Sequence, residues 1–86
     1  MENIEIHEKW GFGFTPGYYA IFNVNGQYYY ASLALVFCEP EVMIFKSDET
    51  GQFSFEDALG EYSSRDVDFT PDALRDCIEE FVASLS

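Results

Sequence analysis

Basic residues are scarce in this sequence: four Lys and Arg stand against 16 Asp and Glu, a formal net charge of −12 over 86 residues. A chain this acidic repels the phosphates of nucleic acids and attracts basic protein surfaces. We therefore expect no direct binding of nucleic acid, and we expect a partner that has a basic surface.

Metal ligands and catalytic motifs are scarce as well. Histidine occurs once, at His7, and the two cysteines, Cys38 and Cys77, are widely separated. These three side chains do not supply the four suitably spaced ligands of a zinc site, and the sequence has no phosphate-binding loop or catalytic motif. The sequence thus predicts a protein that is not an enzyme and uses no cofactor and no metal.

Long apolar runs are absent, and the longest, at residues 33–37, is too short to cross a bilayer. No N-terminal stretch has the basic start and apolar segment of a signal peptide, and an acidic chain gains nothing from an anionic membrane surface. Both cysteines lie in apolar stretches, which is typical of buried, reduced thiols. We expect a protein of the bacterial cytoplasm that does not bind membranes.

Apolar residues, in contrast, are plentiful. They make up 48% of the chain and include nine Phe, six Tyr and one Trp, so a core can form in spite of the charge. A chain of this length is expected to form one small domain, residues 1–86, which buries only about 60–65% of its unfolded surface.

The clearest local signal is Asn25-Gly26, the pair best suited to the two positive φ angles of a type I′ hairpin turn. A two-residue turn there pairs Tyr18 with Leu33 and fixes which residues share a face. One face is then almost wholly apolar: Tyr18, Ala20, Phe22, Val24, Tyr29, Ala31, Leu33, Leu35 and Phe37. The opposite face is rich in tyrosine: Tyr19, Tyr28 and Tyr30.

Weaker signals place the remaining strands and turns. Ile4 and Ile6 alternate with polar residues, as in a short first strand. The other expected elements are a turn at residues 15–17, a break at 38–41, a strand at 42–45, a turn at 47–51, a strand at 53–55 and a helical turn at 55–59.

One long helix is expected at the C-terminal end. Thr70-Pro71 suits its start, with threonine as the N-cap and proline at the first helical position. Apolar residues follow at a spacing of 3, 4, 7 and 8, and acidic residues fall on the opposite side: Asp72, Asp76, Glu79 and Glu80. The predicted fold class is α+β, an antiparallel sheet of four or five strands with one amphipathic C-terminal helix packed on one face.

Acidic residues are concentrated in the second half of the chain, where eleven Asp and Glu from Asp48 onward stand against two Arg. Asp72–Asp76 and Asp76–Glu80 are like-charge neighbours on the helix, each pair unfavourable by about 0.2–0.5 kcal/mol. An acidic outer face is often only a solvated surface, but a helix selected for stability alone would use lysine here. Calcium binding is a weaker alternative, because the spacing of a calcium loop is absent. The residues predicted to bind a partner are Asp72, Asp76, Glu79, Glu80, Glu56, Asp57, Glu61, Asp66 and Asp68.

The tyrosine-rich face is a second candidate interface. If the helix covers the other face, Tyr19, Tyr28 and Tyr30 lie on the outer side of the sheet, unless the aromatic segments at 10–14 or 53–55 fold over them. Exposed tyrosines anchor protein interfaces. This face fits an immunity-type or regulatory partner protein, and it would equally fit a second copy of the chain in a homodimer.

In size, charge and composition the whole chain resembles the small acidic phage-encoded anti-defence proteins, among them the anti-CRISPR proteins. It shares no diagnostic motif with them, so no functional residue is carried over. The resemblance implies that the target is a nucleic-acid-binding defence complex, blocked at a basic channel by a protein that mimics nucleic acid. We therefore expect a non-catalytic inhibitor, with the partner of the tyrosine face as the alternative.

Overall fold

Five antiparallel strands and one helix make up the fold. The computed structural model describes residues 4–10, 16–52, 60–65 and 67–85. The elements are β1 (His7–Trp10), β2 (Pro16–Val24), β3 (Gln27–Val36), β4 (Glu39–Ser47), β5 (Tyr62–Ser64) and α1 (Pro71–Ser84). The strands form one sheet in the order β1-β2-β3-β4-β5, so each strand pairs with its neighbours in the sequence. The predicted α+β fold is confirmed.

The β2–β3 hairpin has the predicted turn and register. Asn25 and Gly26 have φ angles of 53° and 92°, the two positive values of a type I′ turn. Tyr18 pairs with Leu33 and Phe22 pairs with Tyr29. The two faces of the sheet therefore carry the predicted residues over most of their length.

The core lies between the sheet and the apolar side of α1. Leu74, Cys77, Ile78 and Phe81 of the helix are buried. The Phe81 ring meets the Tyr29 ring edge-on, with 5.0 Å between the ring centroids. Fully buried residues of this core include Leu33, Val42, Ile44, Leu74 and Ile78.

Helix α1 begins as the sequence predicts. Thr70 has the extended backbone of an N-cap, with φ −137° and ψ 155°, and its hydroxyl accepts a hydrogen bond from the backbone N–H of Ala73 at 3.2 Å. Pro71 occupies the first turn, where its missing N–H has no partner to lose. The start of the helix is thus set by a local capping signal.

Several sheet boundaries differ from the predictions. The first strand begins at His7, while Ile4 and Ile6 precede it and pack against the core. Pro16 and Gly17 belong to β2, so the expected turn at 15–17 is wrong there. The break expected at 38–41 is shorter, since β4 already begins at Glu39. Strand β5 was not expected, and the strand predicted at 53–55 and the helical turn at 55–59 lie outside the described residues.

The β3–β4 connection corrects a second group of predictions. Phe37 and Cys38 form a two-residue turn. Leu35 and Phe37 were expected on the covered apolar face, yet they are 37% and 96% exposed. Cys38 is also exposed, which contradicts its predicted burial, whereas Cys77 is buried as predicted. Nothing in the described chain buries Phe37.

Candidate protein-binding surfaces

The acidic side of α1 forms the first candidate surface. Asp72, Asp76, Glu79 and Glu80 are all exposed. At about 100° per residue they occupy roughly 100° of the helix circumference, opposite the buried residues. A step of four residues advances about 6 Å along the helix axis. The four carboxylates therefore make a narrow negative stripe, which we call the acidic stripe.

The acidic stripe has little local neutralisation. The Arg75 side chain donates a hydrogen bond to the backbone carbonyl of Ile4 at 3.2 Å. Within the described ranges, Glu41 forms an ion pair with Arg65 and the Glu5 carboxylate lies near the His7 ring, both at 3.7 Å and neither on the helix. The last turn of α1 has no basic residue. The charge of the stripe is thus directed at solvent.

Two groups beneath the helix, Tyr62 and Cys77, have raised pKa values, mainly because of burial and to a smaller extent because of this charge. Burial, a hydrogen bond to Cys77 and the nearby negative charge of Glu80 raise the pKa of Tyr62 to about 12. Burial, with a smaller effect of Glu80 and Asp76, raises the pKa of the Cys77 thiol. Tyr62 belongs to β5, so the acidic stripe runs close to the β5 edge of the sheet.

The other acidic residues predicted to bind a partner divide into two groups. Glu61, directly before β5, and Asp68, shortly before the helix, are both exposed. The remaining three lie outside the described residues: Glu56, Asp57 and Asp66. The structure thus brings together the four helix residues, with Glu61 placed just before the nearby strand.

Acidic residues elsewhere have local structural roles. The Asp48 carboxylate accepts hydrogen bonds from the backbone N–H groups of Thr50 and Gln52, at 2.8 and 3.1 Å. These bonds and one from the Thr50 hydroxyl lower the pKa of Asp48. Asp48 therefore stabilises the turn after β4, the turn predicted at 47–51. Across the described ranges, no three His, Cys, Asp or Glu are grouped as a metal site would require.

The tyrosine-rich face lies on the opposite side of the sheet from the helix. The rings of Tyr19 and Tyr30 stack with centroids 5.8 Å apart, and the His7 ring lies 5.2 Å from that of Tyr19. Tyr28 is on the same face of β3, and all three tyrosines are half-buried. The structure therefore brings Tyr19 and Tyr30 together in an aromatic row.

Part of this face is covered by the connection between β4 and β5. A Cβ atom on Gly51 would lie 2.8 Å from the Ile21 side chain and 3.2 Å from the Tyr30 ring, and one on Gly60 would lie 3.4 Å from the Phe45 ring. Both described ends of the connection thus touch the outer face. Burial also raises the pKa of Tyr30. The aromatic segments expected to cover the tyrosines lie largely outside the described residues.

The hairpin tip formed by Leu35, Phe37 and Cys38 is an exposed feature that the sequence reasoning missed. A signal for it was present: Leu33 and Val42 are equally distant from residues 37–38, as are Leu35 and Pro40. Those pairs are opposite each other in the β3–β4 register. Mirror spacing of apolar residues could have located this turn without a glycine.

No protein-family model, curated protein or solved structure matches this chain. In the part of the chain that is described, no helix is both long and apolar enough to span a membrane.

Proposed function

We propose that this protein is a non-catalytic inhibitor that acts by binding another protein. Its acidic stripe would occupy the basic nucleic-acid-binding site of a defence nuclease complex in the bacterial cytoplasm, as the resemblance to anti-CRISPR proteins implies. The observation that supports this proposal is the exposed, unneutralised row of Asp72, Asp76, Glu79 and Glu80 on a rigid helix.

The geometry of the acidic stripe suits a site built for phosphates. Phosphates follow one another about every 3.4 Å along one nucleic-acid strand, and carboxylates on successive helical turns repeat about every 6 Å. Lys and Arg side chains are long and flexible enough to reach either spacing. A helix that presents such a row can therefore compete with nucleic acid without copying its backbone.

Helix stability also favours a binding role for the stripe. Glu79 and Glu80 lie in the C-terminal half of the helix, where the dipole favours cations, whereas Asp72 in the first turn is placed favourably. The pairs Asp72–Asp76 and Asp76–Glu80 add repulsion of about 0.2–0.5 kcal/mol each. A helix with these unfavourable terms is explained more readily by a basic partner than by selection for stability.

Charge reversal of the stripe tests the proposal. The variant D72K/D76K is compared with E8K/E49K, which changes the net charge equally at exposed positions outside the helix. Partners captured from host lysate are washed at about 100 mM and then about 500 mM salt, because exposed pairs are screened within about 10 Å at 0.1 M. We expect a nucleic-acid-binding complex that elutes at high salt and that DNA or RNA displaces.

The expected loss of affinity for D72K/D76K is about 10-fold or more, whereas E8K/E49K keeps most of the affinity. Far-ultraviolet circular dichroism of both variants controls for folding. If D72K/D76K binds the captured complex as tightly as the unmodified protein, the acidic stripe is not the contact and the proposal fails.

The aromatic row supports a second candidate function, that of an immunity-type or regulatory partner protein. Stacked Tyr19 and Tyr30 offer area and hydroxyl groups to a protein surface, or to a second copy of this chain. An interface of this kind depends little on salt. A single partner retained at about 500 mM salt, and lost on Tyr19→Ala, would favour this function over the first.

A further inference from the structure

The β3–β4 turn has a backbone conformation that its residues do not favour. Phe37 and Cys38 have φ angles of 52° and 67°, in the left-handed region where a Cβ atom meets the following carbonyl oxygen. Asn and Gly tolerate this region, and a bulky residue there is a genuine outlier. The turn therefore keeps an aromatic residue at a position where the backbone selects against it.

Packing among the described residues does not account for the aromatic ring. The Phe37 side chain is 96% exposed, and Leu35, two residues earlier on β3, is 37% exposed. A ring that is almost fully solvated contributes no burial to the stability of its own fold. Both the strain and the exposed apolar area point to a role outside the chain.

Two acidic side chains and one arginine lie at the base of the tip. Glu39 is exposed on β4, and Glu41 forms an ion pair with Arg65 at 3.7 Å. A shallow cleft of about 40 Å³ is lined by Phe37, Glu39, Glu41 and Arg65. Glu39, Glu41 and Arg65 together carry a formal charge of −1, so the surroundings of the ring are weakly acidic. A weakly acidic base suits an apolar pocket that has Lys or Arg at its rim.

The tip and the start of α1 lie at the same end of the sheet. The Phe69 ring, just before the helix, is 5.6 Å from the Tyr18 ring. Tyr18 pairs with Leu33, four residues before Phe37 on the same hairpin. Asp72 in the first turn of the helix is therefore at the end of the molecule from which Phe37 projects.

We infer that Phe37 is an anchor residue that inserts into an apolar pocket, rimmed by Lys or Arg, on the protein partner. This inference rests on the proposed function in that one basic partner contacts both the tip and the acidic stripe. A second copy of the chain is a poor occupant, because two molecules with a formal net charge of −12 repel each other. Large aromatic side chains are the usual anchors of such interfaces.

The first test replaces Phe37 and Cys38 with Asn and Gly, the residues of the β2–β3 turn, in the full chain. F37N/C38G relieves the strained backbone and removes the ring, so the thermal midpoint should rise by about 4–8 °C. Affinity for the partner should fall by about 30-fold or more, as for an interface anchor. C38S and Phe37→Leu are the matched controls. C38S removes only the thiol, and Phe37→Leu keeps an apolar side chain at the tip. C38S should bind normally, and Phe37→Leu should bind between the two.

The second test locates the partner directly. Phe37→p-benzoylphenylalanine is irradiated in host lysate, beside Glu49→p-benzoylphenylalanine at the opposite end of the sheet. We expect an adduct only at position 37, its cross-linked peptide containing apolar residues flanked by Lys or Arg. Unmodified protein should compete for the adduct at concentrations about 30-fold below those of F37N/C38G.

Five outcomes would overturn the inference: normal binding by F37N/C38G, a fall in its thermal midpoint, no adduct, equal adducts at both positions, or an adduct with a second copy of the chain. Failure of the proposed function is distinguishable. In that case D72K/D76K keeps full affinity and the adduct at position 37 persists. If only the tip inference fails, F37N/C38G binds normally while D72K/D76K does not.

Discussion

Strand β3 connects two hairpin turns that have the same left-handed geometry and very different residues. The first, Asn25-Gly26, has φ angles of 53° and 92°, and the second, Phe37-Cys38, has 52° and 67°. In the first turn the Asn23 side chain also accepts a hydrogen bond from the backbone N–H of Gly26 at 3.0 Å. Local chemistry thus favours the first turn and opposes the second.

The difference teaches that a turn can be imposed by the strands on either side of it. Strands β3 and β4 pair from Tyr28 opposite Ser47 to Val36 opposite Glu39, and that register leaves two residues for the turn. The left-handed conformation costs about 1–2 kcal/mol for each residue with a Cβ atom. Pairing and packing of the strands offset this cost, so the residues at the tip are free to serve another purpose.

Truncation of two leucines on β3 should show how much more the buried part of the hairpin contributes to the free energy of unfolding than its tip does. Leu33 is fully buried and Leu35 is 37% exposed, although both side chains are on the same face of the strand. Leu33→Ala should lower the free energy of unfolding by about 2–5 kcal/mol, because it leaves a cavity in the core. Leu35→Ala should lower it by less than about 1 kcal/mol.

Urea denaturation followed by circular dichroism measures both values. The unmodified chain and the exposed-site variant Glu49→Ala set the range of ordinary surface effects. Equal losses for the two leucines would mean that the tip is packed as firmly as the core, and the contrast between the two turns would disappear.

Local chemistry explains which parts of the fold could be predicted from the sequence. Asn25-Gly26 fixed the first turn and, through a side-chain period of two, the register from Tyr18 to Leu33. Thr70 and the apolar spacing after it fixed the start and the buried side of α1. The acidic stripe followed from the same periodicity, since residues opposite the buried side are exposed.

Tertiary effects explain what could not be predicted. Strand β5 has three residues and no alternating pattern, and it forms because Tyr62 packs under Phe81, with ring centroids 6.1 Å apart. The turn at Phe37-Cys38 has neither Gly nor Asn to mark it. Exposure of Phe37 depends on which part of the sheet the helix covers, which periodicity alone does not specify.

Replacing Asn25-Gly26 with Phe and Cys, the residues of the second turn, should destabilise the first turn, because Asn and Gly tolerate positive φ angles and Phe and Cys do not. N25F/G26C places two Cβ-bearing residues in the left-handed region. A Cβ atom at position 26 would meet no neighbouring atom, so no new contact offsets the cost of this conformation. We expect the free energy of unfolding to fall by about 2–3 kcal/mol, measured by urea denaturation. The loss should be independent of changes at the tip, since residues of the two turns share no contacts.

Asn25→Gly is the control for this transplant, because it keeps the turn geometry available while removing the asparagine side chain. It should change stability by less than about 1 kcal/mol. A loss below about 0.5 kcal/mol for N25F/G26C would show that this sheet accepts any residue pair in a two-residue turn. The aromatic ring at Phe37 would then need no special explanation from backbone strain.

The two cysteines probe the same contrast without a change in the fold. Cys38 lies exposed in the second turn and Cys77 lies buried in the core, where burial also raises the pKa of its thiol. In the native protein, iodoacetamide should modify Cys38 readily. If Cys77 reacts only after unfolding by about 5 kcal/mol or more, its rate should be slower by about 5,000-fold or more. Because nothing in the described chain packs on the tip, modification of Cys38 should leave the denaturation midpoint unchanged.

Mass spectrometry of peptides from C38S and C77S assigns each rate of modification. Rapid modification of Cys77 in C38S would show that the helix opens far more often than a buried core allows.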